Sequence, residues 1–69
     1  MHNSKKEITK AQRWLRMLGS SVKVTGEWTI GMASAVACFQ KKNKLTPTGE
    51  LDSVTWVTLK RSIPWWKRF

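Results

Sequence analysis

Apolar residues recur at helical spacing in three stretches of the chain. Ile8, Ala11, Leu15 and Leu18 fall on one face, with Trp14 at its border, while Lys10, Arg13, Arg16 and Met17 fall opposite. Ser4-Lys5-Lys6-Glu7 reads as a capping box. The serine can accept from the amide three residues on, and the glutamate can reach back. A first helix is therefore expected over about 5–18, stopped by a left-handed cap at Gly19. From about Thr29 the pattern is helical again. Met32, Ala35, Val36 and Phe39 share a face, and Ala33 and Ala37 flank it with side chains small enough for another helix to come close. Lys41, Lys42, Asn43 and Lys44 close this second helix, where positive charge suits the C-terminal end of the dipole. Asp52 is placed to cap a third helix over about 53–62. Thr55, Trp56, Leu59 and Ile63 form its inward face, Val54 and Val57 lie off it, and Pro64 ends it. The expected fold is all-α, a compact three-helix bundle occupying 1–63, followed by a basic, Trp-rich tail over 64–69.

The two connections carry nearly the same phrase. Thr25-Gly26-Glu27-Trp28 precedes the second helix and Thr48-Gly49-Glu50-Leu51 the third. Trp28 and Leu51 stand at equal positions after the glycine, where a large apolar residue can plug the space between a helix and its neighbour. Val22 and Val24 of the first connection are expected to tuck inward. The repetition suggests two similar loop-helix halves sharing one core.

With 69 residues the chain can bury only about 60% of its unfolded surface, so the core must be small. The formal charge of +9 favours an anionic partner, whether nucleic acid, anionic lipid or a wall polymer. Chemistry that makes or breaks bonds has little support. The single histidine, His2, sits at the terminus, and the single cysteine, Cys38, has no histidine near it in sequence and is expected to be a small buried thiol. The acids and this one Cys and His show no metal-ligand spacing, and the glycines are scattered rather than gathered into a phosphate loop. An enzyme is not expected, and neither is a cofactor or a metal. The N-terminal "MHNSKKEITK" has no apolar stretch behind its charges and does not read as a signal peptide. Location stays open: wall or envelope for a module of an exported protein, cytoplasm for a whole gene product.

The residues resemble the peptidoglycan-binding-domain-like family, a three-helix wall-binding module. Gln12, Leu15, Leu18 and Gly19 match its first block. Gly26, Trp28, Ala35, Val36, Phe39 and Gln40 match the second, Leu45 the leucine after it, and Gly49, Leu51, Thr55, Trp56 and Leu59 the third. The resemblance covers about residues 8 to 60. Thr25 and Thr48 stand where the family usually has aspartate, Met32 replaces the first threonine, and Thr29 and Asp52 replace the second glycine of each turn. The resemblance implies a non-catalytic module that binds bacterial peptidoglycan and anchors or targets a partner activity to it; a monomer is expected.

Candidate contact residues follow from both readings. Gln12, Trp14, Trp28, Gln40, Lys41 and Lys44 are candidates for a wall ligand. The first reading of Gln12 and Gln40 is that each amide satisfies loop backbone groups. Trp56 is expected in the core, Trp28 as a half-buried plug, and Trp14 at the core border or on an exposed platform. Lys10, Arg13, Arg16, Trp65, Trp66, Lys67 and Arg68 are candidates for anion or membrane contact. The tail "IPWWKRF" has the composition of cationic Trp-rich membrane peptides, and its indoles could instead cover the bundle or stack on bases or sugars. Two further functions stay open beside wall binding: a small basic nucleic-acid-binding domain, and a membrane-surface protein using the tail.

Overall fold

The computed structural model describes residues 4–68. His2 and Phe69, weighed above, lie outside the described residues. Three α-helices, Lys5–Met17 (α1), Ile30–Lys42 (α2) and Ser53–Ser62 (α3), are followed by a single 3-10 turn at Trp65–Lys67. No strand occurs among the described residues.

Each helix starts where a side chain can cap it. Ser4 accepts from the Glu7 amide while Glu7 reaches back to the Ser4 amide, completing the capping box. Thr29 accepts from Met32 at the head of α2, and Asp52 from Thr55 at the head of α3. The ends of α1 and α2 share another device. Gly19 N–H donates to Arg16 and Ser20 N–H to Leu15, closing α1 in a Schellman motif with Gly19 at φ +98°. At the end of α2, Lys44 donates to Lys41 and Leu45 to Gln40 in the same pattern, with Lys44 held at φ +59°. A lysine in this left-handed region carries a Cβ penalty of roughly 1–2 kcal/mol that glycine avoids.

Helix α1 packs against both α2 and α3 and acts as the spine. It contributes Ile8, Ala11, Trp14 and Leu15 to the core, α2 contributes Met32, Val36 and Phe39, and Leu51, Leu59 and Ile63 complete it from the last third of the chain. Trp28 and Trp56 are half-buried against this cluster, and Val22 joins them. Val54 and Val57 are exposed, as their off-face positions require.

Two details, Leu18 and Cys38, differ from the sequence expectations, and two others become more specific. Trp14 is only 2% exposed, so it is core and no platform. Its ring lies 5.4 Å from that of Trp56, tilted by 35°, and the Lys10 ammonium stands 5.6 Å from its centroid. Leu18 is 40% exposed, at the C-cap one residue beyond the end of α1. Cys38 is exposed, since it lies on α2 away from the Met32–Val36–Phe39 face. At Ala33 a turn also comes close: a Cβ built on Gly49 would stand 3.3 Å from the Ala33 carbonyl oxygen.

Candidate functional site

Two buried glutamines shape the connections. The Gln12 side-chain oxygen accepts from the Thr25 and Gly26 amides, both at 2.9 Å, and its nitrogen donates to the Glu27 carbonyl at 3.1 Å. The Gln40 oxygen accepts from the Gly49 amide at 2.9 Å, and its nitrogen donates to the Glu50 carbonyl at 3.0 Å and to the Thr48 and Thr55 hydroxyls. A buried amide with donor and acceptor ends both engaged satisfies loop groups that would otherwise lie orphaned. The two Thr-Gly-Glu turns also close alike: Thr25 accepts from the Glu27 amide and Thr48 from the Glu50 amide, each at 3.2 Å. Threonine hydroxyls thus make the local bond that aspartate makes in Asx turns.

Clasping the first turn to Gln12 gives the 18–29 connection its path. It leaves α1 through the Gly19 bend, runs extended, and is pulled back at Thr25–Gly26. Between it, the end of α1 and one flank of α2 lies an open groove of about 600 Å³. It stays open because the α2 residues facing it are small: Gly31, Ser34, Ala35 and Cys38 recur at helical spacing and leave the gap unfilled. Leu15 and Phe39 give apolar lining. Ser20, Ser21, Thr25, Thr29 and Ser34 give hydroxyls, and Lys23 and Lys42 bring ammonium groups. A second, broader basin of about 790 Å³ is lined by Lys5, Lys6, Lys10, Arg13 and Trp56, with Ser4, Glu7 and Thr9.

The candidate residues distribute as follows. Gln12 and Gln40 are buried and hold the turns. Trp14 is buried, and Trp28 half-buried against the core. Lys41 and Lys44 are exposed at the end of α2 but do not line the groove; Lys42 does. Lys10 and Arg13 share the basin, whereas Arg16 is exposed outside both concavities. Trp65, Trp66 and Lys67 are exposed on the terminal turn, and Arg68 is partly so. Sequence reasoning missed Lys23, Lys42, Ser34 and the Ser20–Ser21 pair as neighbours. The available signal was the small-residue spacing from Gly31 to Cys38, which describes a second face of α2 beside its core face.

Asp52, the cap of α3, has its titration displaced. Its carboxyl is held below the usual aspartate range by hydrogen bonding to the Thr55 side chain, then to the Thr55 amide. Among the described residues no three of His, Cys, Asp and Glu gather to hold a metal, and no helix is long and apolar enough to cross a membrane.

A leading helix, two glutamine-clasped turns and an open hydroxyl-lined groove define a small all-helical binding domain. The model of the putative peptidoglycan binding domain family matches residues 4–59, and the chain belongs to that family. The match takes in both glutamines, both turns and every residue of the groove. Neither the curated proteins nor the solved structures give a match.

Proposed function

We propose that this domain is a non-catalytic module that takes peptidoglycan into the groove between α1, the 18–29 connection and α2, and thereby anchors or targets a partner activity to the wall. The observation that carries this reading is the lining of that groove. Peptidoglycan presents acetamido groups, sugar hydroxyls and stem-peptide carboxylates. Leu18, Val22 and Ala35 offer apolar surface for acetamido methyls, over a floor of Leu15 and Phe39. The Ser20, Ser21 and Ser34 hydroxyls suit amides and sugar hydroxyls, Thr25 and Thr29 being engaged in the turn and the helix cap, and Lys23 and Lys42 suit carboxylates. Membership in the peptidoglycan-binding family supports the same ligand class. Gln12 acts on binding indirectly, by holding the connection that forms one wall.

Sedimentation with purified insoluble peptidoglycan tests the reading. At about 0.5 M salt the screening length falls to roughly 4 Å, so retention that survives reflects more than the +9 charge. The protein is expected to pellet under these conditions, and Ser34→Trp, which fills the groove from an exposed position, is expected to stay in the supernatant. Complete loss of wild-type retention at that salt, or undiminished retention of Ser34→Trp, counts against it.

The basin supports a second reading. Lys5, Lys6, Lys10 and Arg13 converge there beside Trp56, an arrangement suited to phosphates of a nucleic acid backbone. A duplex-DNA titration at two salt concentrations decides it. Binding that tracks only the salt slope, unaffected by Lys10→Gln/Arg13→Gln, removes this alternative.

A further inference from the structure

The tail lies beyond the residues matched to the family, and its structure was not foreseen from composition. Ile63 is 1% exposed and ends α3 inside the core. After Pro64 the chain folds into one 3-10 turn, with the Lys67 amide donating to the Pro64 carbonyl at 2.8 Å. Arg68 Nε then donates to the Ile63 carbonyl, also at 2.8 Å, tying the turn back to the end of the core. The turn is thus tied to the end of the core, yet Trp65 is 73% exposed and Trp66 55%. Their rings meet edge to face, with centroids 5.7 Å apart and planes at 89°. Lys60 and Arg61 in the last turn of α3 and Lys67 and Arg68 beside the indoles are all cationic, and no acidic residue follows Asp52 anywhere in the sequence.

We propose that this turn is a docking knob for an anionic lipid bilayer, with the two indoles seated at the headgroup–acyl boundary and the surrounding cations against lipid phosphates. Indole suits that boundary because its ring is apolar while its N–H still finds hydrogen-bond acceptors. Local charge is complementary: each Lys or Arg near an anionic leaflet strengthens binding by about fivefold. The ring geometry favours a bilayer over nucleic acid as the occupant. Successive bases stack on aromatic faces disposed along a strand, whereas perpendicular rings in edge contact form one compact apolar projection. The inference rests on the tail alone and stands apart from the wall reading. If both hold, the domain bridges the inner face of the wall and the membrane beneath it.

Co-sedimentation with vesicles of equal parts phosphatidylglycerol and phosphatidylcholine, read with indole emission, tests this. The protein should sediment with these vesicles, show a blue shift, and ignore pure phosphatidylcholine. Trp65→Ala/Trp66→Ala should weaken partitioning on the order of tenfold or more and abolish the shift. Its melting temperature and its retention on peptidoglycan should be unchanged, because both rings lie outside the core and outside the groove. Lys60→Gln/Lys67→Gln should weaken partitioning by about fivefold per charge. Should the double alanine variant melt early, Trp65→Ala alone serves as the readout. The proposal is overturned if the wild type ignores anionic vesicles or if the alanine variants sediment as strongly as wild type. It is equally overturned if binding of a single-stranded oligonucleotide falls more than vesicle binding does.

Discussion

Gln12 and Gln40 perform the same act on two different turns: each side-chain oxygen accepts from the turn glycine, Gly26 or Gly49, at 2.9 Å, and each nitrogen donates to the carbonyl of the glutamate that follows. Both lie within helices, and both are no more than 1% exposed. This pairing explains why so short a chain repeats Thr-Gly-Glu. Each repeat is a loop shaped to be grasped by an amide from the preceding helix.

Removing one grasp should therefore be costly. Gln40→Leu leaves the Gly49 amide and Glu50 carbonyl without their partner, and each buried group so orphaned costs about 1–3 kcal/mol. A destabilisation of about 2–4 kcal/mol is expected in urea unfolding. For a domain of this size, each kcal/mol lowers the melting temperature by roughly 4–8 °C. Gln12→Leu should destabilise too, and should also weaken peptidoglycan retention, because the loop it holds borders the groove.

Backbone conformation gives a prediction of opposite sign. Lys44 sits at φ +59° in a position where glycine is favoured. Lys44→Gly should stabilise by about 1 kcal/mol, read as a raised melting temperature. By contrast, Gly49→Ala combines φ +78° with a Cβ 3.3 Å from the Ala33 carbonyl, whereas Gly19→Ala at φ +98° meets nothing within 4 Å. Gly49→Ala should be the more damaging of the two in the same melting experiment.

Asp52 makes part of the stability pH-dependent. Its folded-state carboxyl is held low by Thr55, so the unfolded chain binds the proton more readily. The stabilisation is present above the ordinary aspartate range and is lost as pH falls through the depressed folded-state value. Asp52→Ala should cost about 1 kcal/mol at neutral pH as a lost helix cap. Its deficit relative to wild type should shrink in acid, as denaturation at neutral and acidic pH will show.

Cys38 reports on the groove directly. The thiol is exposed and lies among the groove residues. It should react with a disulfide reagent in the folded protein, without prior unfolding. Soluble peptidoglycan fragments should slow that reaction, and a bulky adduct should block retention on the wall. Reaction only upon unfolding would contradict the described position of the thiol.

Much of this architecture was legible in the sequence for local reasons. Ser4–Glu7, Thr29 and Asp52 mark helix starts through side chains that bond their own neighbours, and Gln12 and Gln40 stood out as amides at the edges of apolar faces. What could not be read depends on contacts across the chain. The burial of Trp14 requires Trp56 to lie over it, and Leu18 is exposed where it borders the open groove. Cys38 misled because small free thiols tend to be buried, and nothing local showed that its face of α2 borders an unfilled gap. The groove itself is defined by what small side chains leave empty, a property no single residue announces. The tail disclosed its composition but not its fold, since the bond from Arg68 to Ile63 joins a flexible side chain to the end of a helix.

The most direct test of the wall-binding account is a titration of isotope-labelled protein with soluble peptidoglycan fragments, followed by amide chemical shifts. Shifts concentrated in Ser20–Thr25 and along Gly31, Ser34, Ala35, Cys38 and Lys42 are predicted, with the Trp65–Arg68 turn unmoved. Shifts confined to Lys5–Arg13, or none at saturating fragment, would contradict it.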